Sequence, residues 1–464
     1  MRDPIFSSDH HPATLDDFSI KSNWPCRLIE AADVALRKEE GTAAPMRSKE
    51  TSVLTLHSIS KGMQPVAKPL PVLQKLQGLD ILQSQPTLCF SPLLTTRESK
   101  FFMHIFSSET APRLFPAASP LFLQRLIASS LETPHLLYAI LASACSHHSR
   151  LIKDGGSSST YSCLKFTNLS ISSLRSALSD QDATLTAETV TTAMALCTND
   201  VCNGNMQTWR THLGGVMRLF AAFLDSQGRM RVDDPYVQCL VKWFTTMDII
   251  AGLSGFTDDG VLSSDSGLLD RTFNQLEANI DDICGYSLRL VPLLVRLSHM
   301  VQHDHQNPLD ITQEKVTESH QLELEILSLT GCGVPANSNH AELQSTHLAF
   351  VHSALLHLHR RVQLIPKSHE IVKADLSNII NAVKQIPASS SANILILWPV
   401  FSAGCETDDI EERNFIYDRM GDMERHGLGN FTRARGLLNT FWAAQTPTPW
   451  DRHFADLGLE LVLF

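Results

Sequence analysis

The residues of this chain whose types and spacing come closest to a chemical site are acids near position 410. Asp408, Asp409 and Glu412 form an Asp-Asp-x-x-Glu arrangement. On a helix, the first and fifth positions share a face, so the carboxylates of Asp408 and Glu412 would converge. Carboxylate oxygens are the ligands that Mg²⁺ prefers in proteins. The pattern therefore predicts either a magnesium site or a helix N-terminus, where acidic side chains stabilise the helix dipole.

A magnesium-binding acidic helix is typical of helical enzymes that act on prenyl diphosphates, such as terpenoid synthases. Those enzymes need a second metal site, made by an Asn-Asp pair, a Ser and a Glu that follow the first site. The Asn-Asp pair of this chain, Asn199 and Asp200, lies far upstream, and Asn203 stands where the Ser belongs. The sequence thus favours the helix N-terminus. An enzyme of this class, using Asp408, Asp409 and Glu412 with Mg²⁺, is the alternative hypothesis.

The histidines and glycines give no stronger site. A metal site needs three or four converging ligands with defined spacing, and the 20 histidines show no such spacing. Seven of them form three groups: 147–148 at a helix end, where the dipole favours positive charge, 303–305 in a polar loop, and 352–359 on one helix. The nucleophile elbow and the phosphate-binding loop are both missing. We therefore predict a protein that is not an enzyme, with no catalytic, cofactor-binding or metal-binding residue.

Composition and charge indicate a globular intracellular protein. Of 464 residues, 38 are Lys or Arg and 49 are Asp or Glu, which gives a net charge of −11. This acidity argues against a chain that coats nucleic acid or anionic membrane. The ten cysteines are dispersed and form no Cys-x-x-Cys, which is typical of reduced thiols. The longest apolar run, 394–401, is far too short to cross a bilayer.

The chain divides near residue 93. Residues 1–92 are rich in Pro, Ser, Thr and Lys, and we interpret them as a linker-like, largely disordered segment. Residues 93–464 show apolar stripes at spacings of three and four, which indicate buried helical faces. We predict an all-α fold, an irregular multi-helix bundle of about ten to twelve helices. Trp209, Trp243 and Trp398 fall on these stripes and are expected to be buried.

Five elements along this region resemble the fungal-specific transcription factor domain, the regulatory body of fungal zinc-cluster transcription regulators. They are a Leu-rich helix ending in Ala-x-x-Ala-x-His-like spacing, a helix with Leu-Arg, a Trp-x-x-His-Leu-x-Gly element, a Trp-Phe-x-x-x-Asp helix and a Trp-Pro-x-Phe-x-Ala-Gly-x-Glu element. Their positions, in the order of the family, are 136–148, 164–178, 209–216, 243–248 and 397–406.

The resemblance implies an all-α regulator that acts in the nucleus. Its partners would be other transcription regulators or co-regulators and, in some members, a small-molecule effector. Many relatives serve metabolic or secondary-metabolite pathways, so target genes of that kind are expected here.

The family's N-terminal zinc cluster has no counterpart in this chain. Six thiolates are needed to hold its two zinc ions, whereas residues 1–92 contain only Cys26 and Cys89. We therefore expect DNA contact to be absent from this chain, or supplied by a missing zinc cluster or by a partner. A partner-only protein-interaction scaffold is the second alternative hypothesis.

Overall fold

The computed structural model of the protein describes residues 91–153, 157–180, 185–204, 209–226, 234–255, 279–306, 312–334 and 342–464. Within these ranges the chain is 78% helical and has no strand, apart from an isolated bridge between Ile280 and Ser287. The predicted all-α class is confirmed. The segment predicted to be disordered, residues 1–92, lies outside the described residues except for its last two positions.

The described ranges contain fifteen helices, more than the ten to twelve predicted. Several are too short for an apolar period to be counted along them, which is why the sequence underestimates their number. In chain order they are α1 Arg97–Ile105, α2 Pro120–Glu132, α3 Pro134–Leu151, α4 Ser157–Ser179, α5 Ala187–Cys202, α6 Trp209–Ser226, α7 Pro235–Leu253, α8 Leu290–Gln306, α9 Gln313–Ser328, α10 Leu343–His357, α11 Glu370–Gln385, α12 Leu397–Glu406, α13 Ile410–Glu424, α14 Gly429–Ala444 and α15 Trp450–Asp456.

Two π-helical turns extend these helices. Phe106–Thr110 follows α1 and leads into one further α-helical turn, Ala111–Leu114, while Leu358–Val362 follows α10. Such turns insert one extra residue into the helix and shift the direction of the side chains after it. The second turn carries the three basic residues of the charged group described below.

Local sequence explains where several helices begin. Side-chain oxygens of Thr96, Ser119 and Asp234 accept backbone N–H groups in the first turns of α1, α2 and α7. Prolines occupy the starts of α2, α3 and α7, where their missing N–H costs nothing. These caps satisfy donors that a helix cannot pair internally.

Two helices form the centres of the two halves of the fold. Helix α3 is surrounded by α1, α2, α4 and α5, and helix α12 by α10, α11, α13 and α14. All ten residues of α12 are buried, as expected for a helix packed on every side. The contact between α5 and α14 helps to join the halves, and a continuous apolar core runs through both.

The tryptophan predictions are confirmed, since Trp209, Trp243 and Trp398 are all buried. Among the described helices, none combines the length and the apolar character that a bilayer crossing requires.

Candidate functional site

A group of buried and half-buried charged side chains surrounds the π-helical turn after α10. The backbone N–H of Gln363 donates to the carbonyl of Leu358, five residues earlier, at 3.0 Å. Within this turn, the consecutive residues His359, Arg360 and Arg361 contact acidic residues on four different helices. We call these three residues, with their acidic partners Glu323, Asp375, Glu406 and Asp451, the charged centre.

His359 connects the turn to α11 and α9. Its Nδ1 lies 2.6 Å from Oδ2 of Asp375, and its Nε2 lies 3.4 Å from Oε1 of Glu323. Burial by itself would lower the pKa of His359, but the two carboxylates outweigh burial and raise it. Burial also raises the pKa of Asp375, an effect that His359 partly offsets. His359 is therefore held between a buried carboxylate on α11 and a half-buried one on α9.

Arg360 connects the turn to α12. Its Nε donates to Oε2 of Glu406 at 2.6 Å, and its Nη1 donates to the carbonyl of Ile365. The Glu406 side chain is only 4% exposed. Removing a carboxylate from water is costly unless a cation and hydrogen bonds compensate for it, so Glu406 depends on Arg360.

Arg361 connects the turn to α15. Its Nε donates to Oδ2 of Asp451 at 2.8 Å, and its Nη2 lies 2.7 Å from the same oxygen. The exposed fractions of the two side chains are 9% and 2%. Burial raises the pKa of Asp451, and Arg361 offsets part of that rise. This pair and the His359–Asp375 pair, with exposed fractions of 4% and 7%, are the two deeply buried pairs of the charged centre.

Aromatic rings enclose the centre on one side. The ring of His357 lies 6.1 Å from that of Trp398 and 5.9 Å from that of Trp450. Burial, assisted by the nearby Arg361 charge, lowers the pKa of His357 to about 3, so its imidazole is neutral at physiological pH. The rings exclude water and thereby strengthen the neighbouring ion pairs.

Helix α12 carries the Trp-Pro-x-Phe-x-Ala-Gly-x-Glu element, and its geometry explains the glycine. A Cβ atom at Gly404 would lie 2.9 Å from Cδ2 of Leu438 and 3.1 Å from Cγ2 of Ile416. The carbonyl of Gly404 also accepts the indole N–H of Trp442 at 2.8 Å. Glycine therefore lets α13 and α14 approach α12 closely, which positions Glu406 at the end of the helix.

The acids near position 410 form a helix N-terminus. Asp409 is the N-cap of α13 and accepts the backbone N–H of Glu412 at 3.0 Å, and the hydroxyl of Thr407 donates to the Glu412 carboxylate. Asp408 precedes the helix and pairs with Arg413 at 3.0 Å. The prediction that Asp408 and Glu412 share a helical face is wrong, because the helix begins after Asp408. The helix N-terminus interpretation is confirmed.

The histidine groups do not converge either. His147 is buried inside the fold, with Nδ1 3.0 Å from Oγ1 of Thr110 and Nε2 2.8 Å from the carbonyl of His426. Burial lowers its pKa to about 4, so the imidazole is neutral near pH 7. The prediction that a positive charge on His147 complements the helix dipole is therefore wrong. Residues 303–305, predicted as a loop, belong to the last turn of α8. Among the described residues, no group of three or more His, Cys, Asp or Glu has the arrangement of a metal site.

A second buried cluster lies between the third and fourth family-like elements. Arg210 donates to the carbonyl of Ala251 at 2.5 Å and lies over the ring of Trp209. Burial raises the pKa of Asp248 to about 7, and the charge of Arg210 offsets part of this rise. The indole N–H of Trp209 donates to the carbonyl of Glu460 at 3.4 Å. These contacts fix α6 and α7 to the last residues of the chain.

Sequence reasoning missed the charged centre. Arg360 and Arg361 directly follow the histidine group 352–359, and no role was predicted for them. A signal was nevertheless present, because the two arginines lie within a long apolar stripe that runs from Leu348 to Val362. Charged residues inside a buried stripe need buried partners, although the sequence does not say which acids these are.

The comparisons with known proteins identify one family. The family model of the fungal specific transcription factor domain matches residues 101–464, a range that includes all five elements identified in the sequence. The comparison with curated proteins and that with solved structures each found no match. The chain therefore belongs to the family of fungal specific transcription factor domains, whose members are transcription regulators.

Proposed function

We propose that this chain is the regulatory body of a nuclear transcription regulator, and that the charged centre transmits the binding of a co-regulator or small effector through the fold. The observation that carries the proposal is the Arg360–Glu406 pair, in which the buried Glu406 carboxylate is held by the half-buried Arg360. Glu406 ends the Trp-Pro-x-Phe-x-Ala-Gly-x-Glu element, so the pair connects that element to the π-helical turn after α10.

The physical basis is that buried ion pairs favour all-or-none rearrangements. Separating one pair leaves two uncompensated charges inside the protein, which costs far more than the net contribution of the intact pair. Partial displacements of α12 or α15 from the turn are therefore disfavoured. A ligand that binds one packing of these helices better than another would shift the population between discrete states.

The proposal is tested by fusing the whole chain to an unrelated DNA-binding domain and measuring a reporter gene in cells. We expect the fusion to change reporter expression relative to the DNA-binding domain alone. Glu406→Gln, which weakens the Arg360 pair with little change in volume, should alter that effect several-fold. Glu370→Gln is the matched control, because the Glu370 side chain is 87% exposed.

Immunoblotting of the fusions separates loss of regulation from loss of folded protein. If the Glu406→Gln protein is absent from the immunoblot, the double variant Arg360→Gln, Glu406→Gln is used in its place. It removes both charges, so neither residue is left as an unpaired charge. A fusion that leaves the reporter at the level of the DNA-binding domain alone contradicts the proposed function.

We further propose that the target genes belong to a metabolic or secondary-metabolite pathway and that DNA is contacted through a partner or a zinc cluster outside this chain. Transcript profiling after deletion of the gene tests the first point. Chromatin occupancy tests the second: occupancy that disappears when one zinc-cluster regulator is deleted supports contact through a partner, and direct binding of the purified chain to DNA contradicts it.

A further inference from the structure

A pair of cysteines lies across the hairpin formed by α3 and α4. Cys145 is six residues before the last residue of α3, and Cys163 is six residues after the first residue of α4. Because a short connection makes consecutive helices antiparallel neighbours, residues equally distant from the turn face each other. The two Sγ atoms are 2.9 Å apart, and both cysteines are free thiols.

The surroundings make the two thiols chemically different. Cys145 is fully buried, whereas Cys163 is only partly buried at the edge of the core. The hydrogen bond between the thiols, followed by one from Ser146 and by the charge of Arg150, outweighs burial and lowers the pKa of Cys163. The same bond, together with burial, raises the pKa of Cys145.

The position of Arg150 is fixed by the rest of the fold. Its Nε donates to the carbonyl of Gly427 at 2.7 Å, and its Nη1 donates to the side chain of Asn203. These contacts hold the guanidinium at the junction of α3, α5 and the connection between α13 and α14. The fold therefore holds the Arg150 cation, which favours the thiolate form of Cys163, in a fixed position.

We propose that Cys145 and Cys163 form a redox modification site, in which a hydroperoxide oxidises Cys163 and Cys145 then closes a disulfide between α3 and α4. This inference goes beyond the proposed function and does not depend on it. It assigns Cys163 as the attacking thiol and Cys145 as the resolving thiol.

The reaction takes two balanced steps. First, the Cys163 thiolate attacks one peroxide oxygen, the O–O bond breaks, hydroxide or alkoxide leaves, and the sulfur becomes a sulfenic acid. Second, the Cys145 sulfur attacks the sulfenic sulfur, an S–S bond forms and the S–O bond breaks. The leaving hydroxide takes the Cys145 proton and departs as water. The hydroperoxide is reduced and the two thiols are oxidised.

The disulfide would act on the junction of the two halves of the fold. Two residues further along α3, His147 donates from Nε2 to the carbonyl of His426 at 2.8 Å, and Arg150 contacts the next residue, Gly427. Tying α3 to α4 restrains the end of α3 that makes these contacts. Oxidation would thereby alter how firmly α3 holds the connection between α13 and α14.

The experiment treats the reduced full-length protein with a low excess of hydrogen peroxide, blocks the remaining thiols by alkylation and maps peptides without reduction. We expect a peptide pair linked through Cys145 and Cys163 that a dithiol reductant separates. Cys239 is the matched internal control, because it is also partly buried but burial raises its pKa to about 11. At neutral pH, Cys163 should be alkylated at least about tenfold faster than Cys239, because thiolate is the reactive form.

The variant Cys145→Ser tests the assignment of roles. Oxidation should then stop at a sulfenic acid on Cys163, which a dimedone probe captures. The measurements on the unmodified chain need no variant, so a misfolded variant does not affect them. Equal reaction rates of Cys163 and Cys239, or oxidation of Cys163 to a sulfinic acid without a cross-link in the unmodified chain, would overturn the proposal.

Discussion

Removal of the Arg361 guanidinium is the most informative test of the charged centre. In Arg361→Met, the Asp451 carboxylate stays buried without its cation. Breaking a buried pair on one side typically costs about 3–5 kcal/mol. The low exposure of both side chains, 9% and 2%, places this pair in the range where that figure applies. We therefore expect the free energy of unfolding to fall by about 3–5 kcal/mol at pH 8.

The loss should depend on pH in a defined direction. The pKa of Asp451 is already raised by burial, and removing Arg361 raises it further. When the pH falls through that raised pKa, the carboxyl becomes neutral and the uncompensated charge disappears. The cost of Arg361→Met, relative to the unmodified protein at the same pH, should thus be smaller near pH 5 than at pH 8.

Urea denaturation followed by circular dichroism measures both effects. The double variant Arg361→Met, Asp451→Leu should recover most of the lost stability, because well-packed apolar residues can replace a buried ion pair. Lys373→Met is the control, since Lys373 pairs with Glu370 on the surface, where ion pairs contribute little. A loss below about 1 kcal/mol, or a double variant no more stable than the single one, would refute the proposed energetics.

Three further predictions concern packing and buried histidine. Gly404→Ala should lower the free energy of unfolding by about 1–3 kcal/mol, because its Cβ would crowd Leu438. Gly436→Ala is the control, since its Cβ would meet nothing within 4 Å. In the same urea assay, this second change should stabilise α14 by about 0.5–1 kcal/mol. The pKa of His147 is lowered to about 4, so its contribution to stability is present above its ordinary value of about 6.5 and is lost as the pH falls towards 4. His147→Gln should therefore make the melting temperature, measured by calorimetry, less sensitive to acid, and an unchanged dependence would contradict this. Trp398→Ala should cost about 3–5 kcal/mol through the cavity that it leaves, and a loss well below 1 kcal/mol would show that the ring is not packed as described.

The apolar helical faces were predictable because they depend only on local spacing. The residues Tyr236, Leu240, Trp243, Met247 and Ile250 recur at intervals of three and four, and all five are buried on α7. Such a stripe can be recognised without knowing which helix packs against it, because any apolar surface can bury it. The tryptophans were placed correctly for the same reason.

The charged centre could not be predicted in this way. Arg361 and Asp451 are 90 residues apart, and no local rule connects an arginine to one acid among 49 Asp and Glu residues. The π-helical turn also escapes a count of apolar residues, because it moves the side chains after it by one position. The misplaced helical face of Asp408 and Glu412 has a related cause, since the start of α13 depends on the cap at Asp409.

The sequence by itself determined the all-α class, the buried stripes and the family of this protein, because each follows from residue types at short, regular intervals. The tertiary structure decided which charges meet inside the core and which cysteines face each other across the α3–α4 hairpin. The physical reason is that the burial of apolar side chains is non-directional and does not require one particular partner. An ion pair or a thiol pair instead requires two particular atoms within about 3 Å, which only the folded chain brings together.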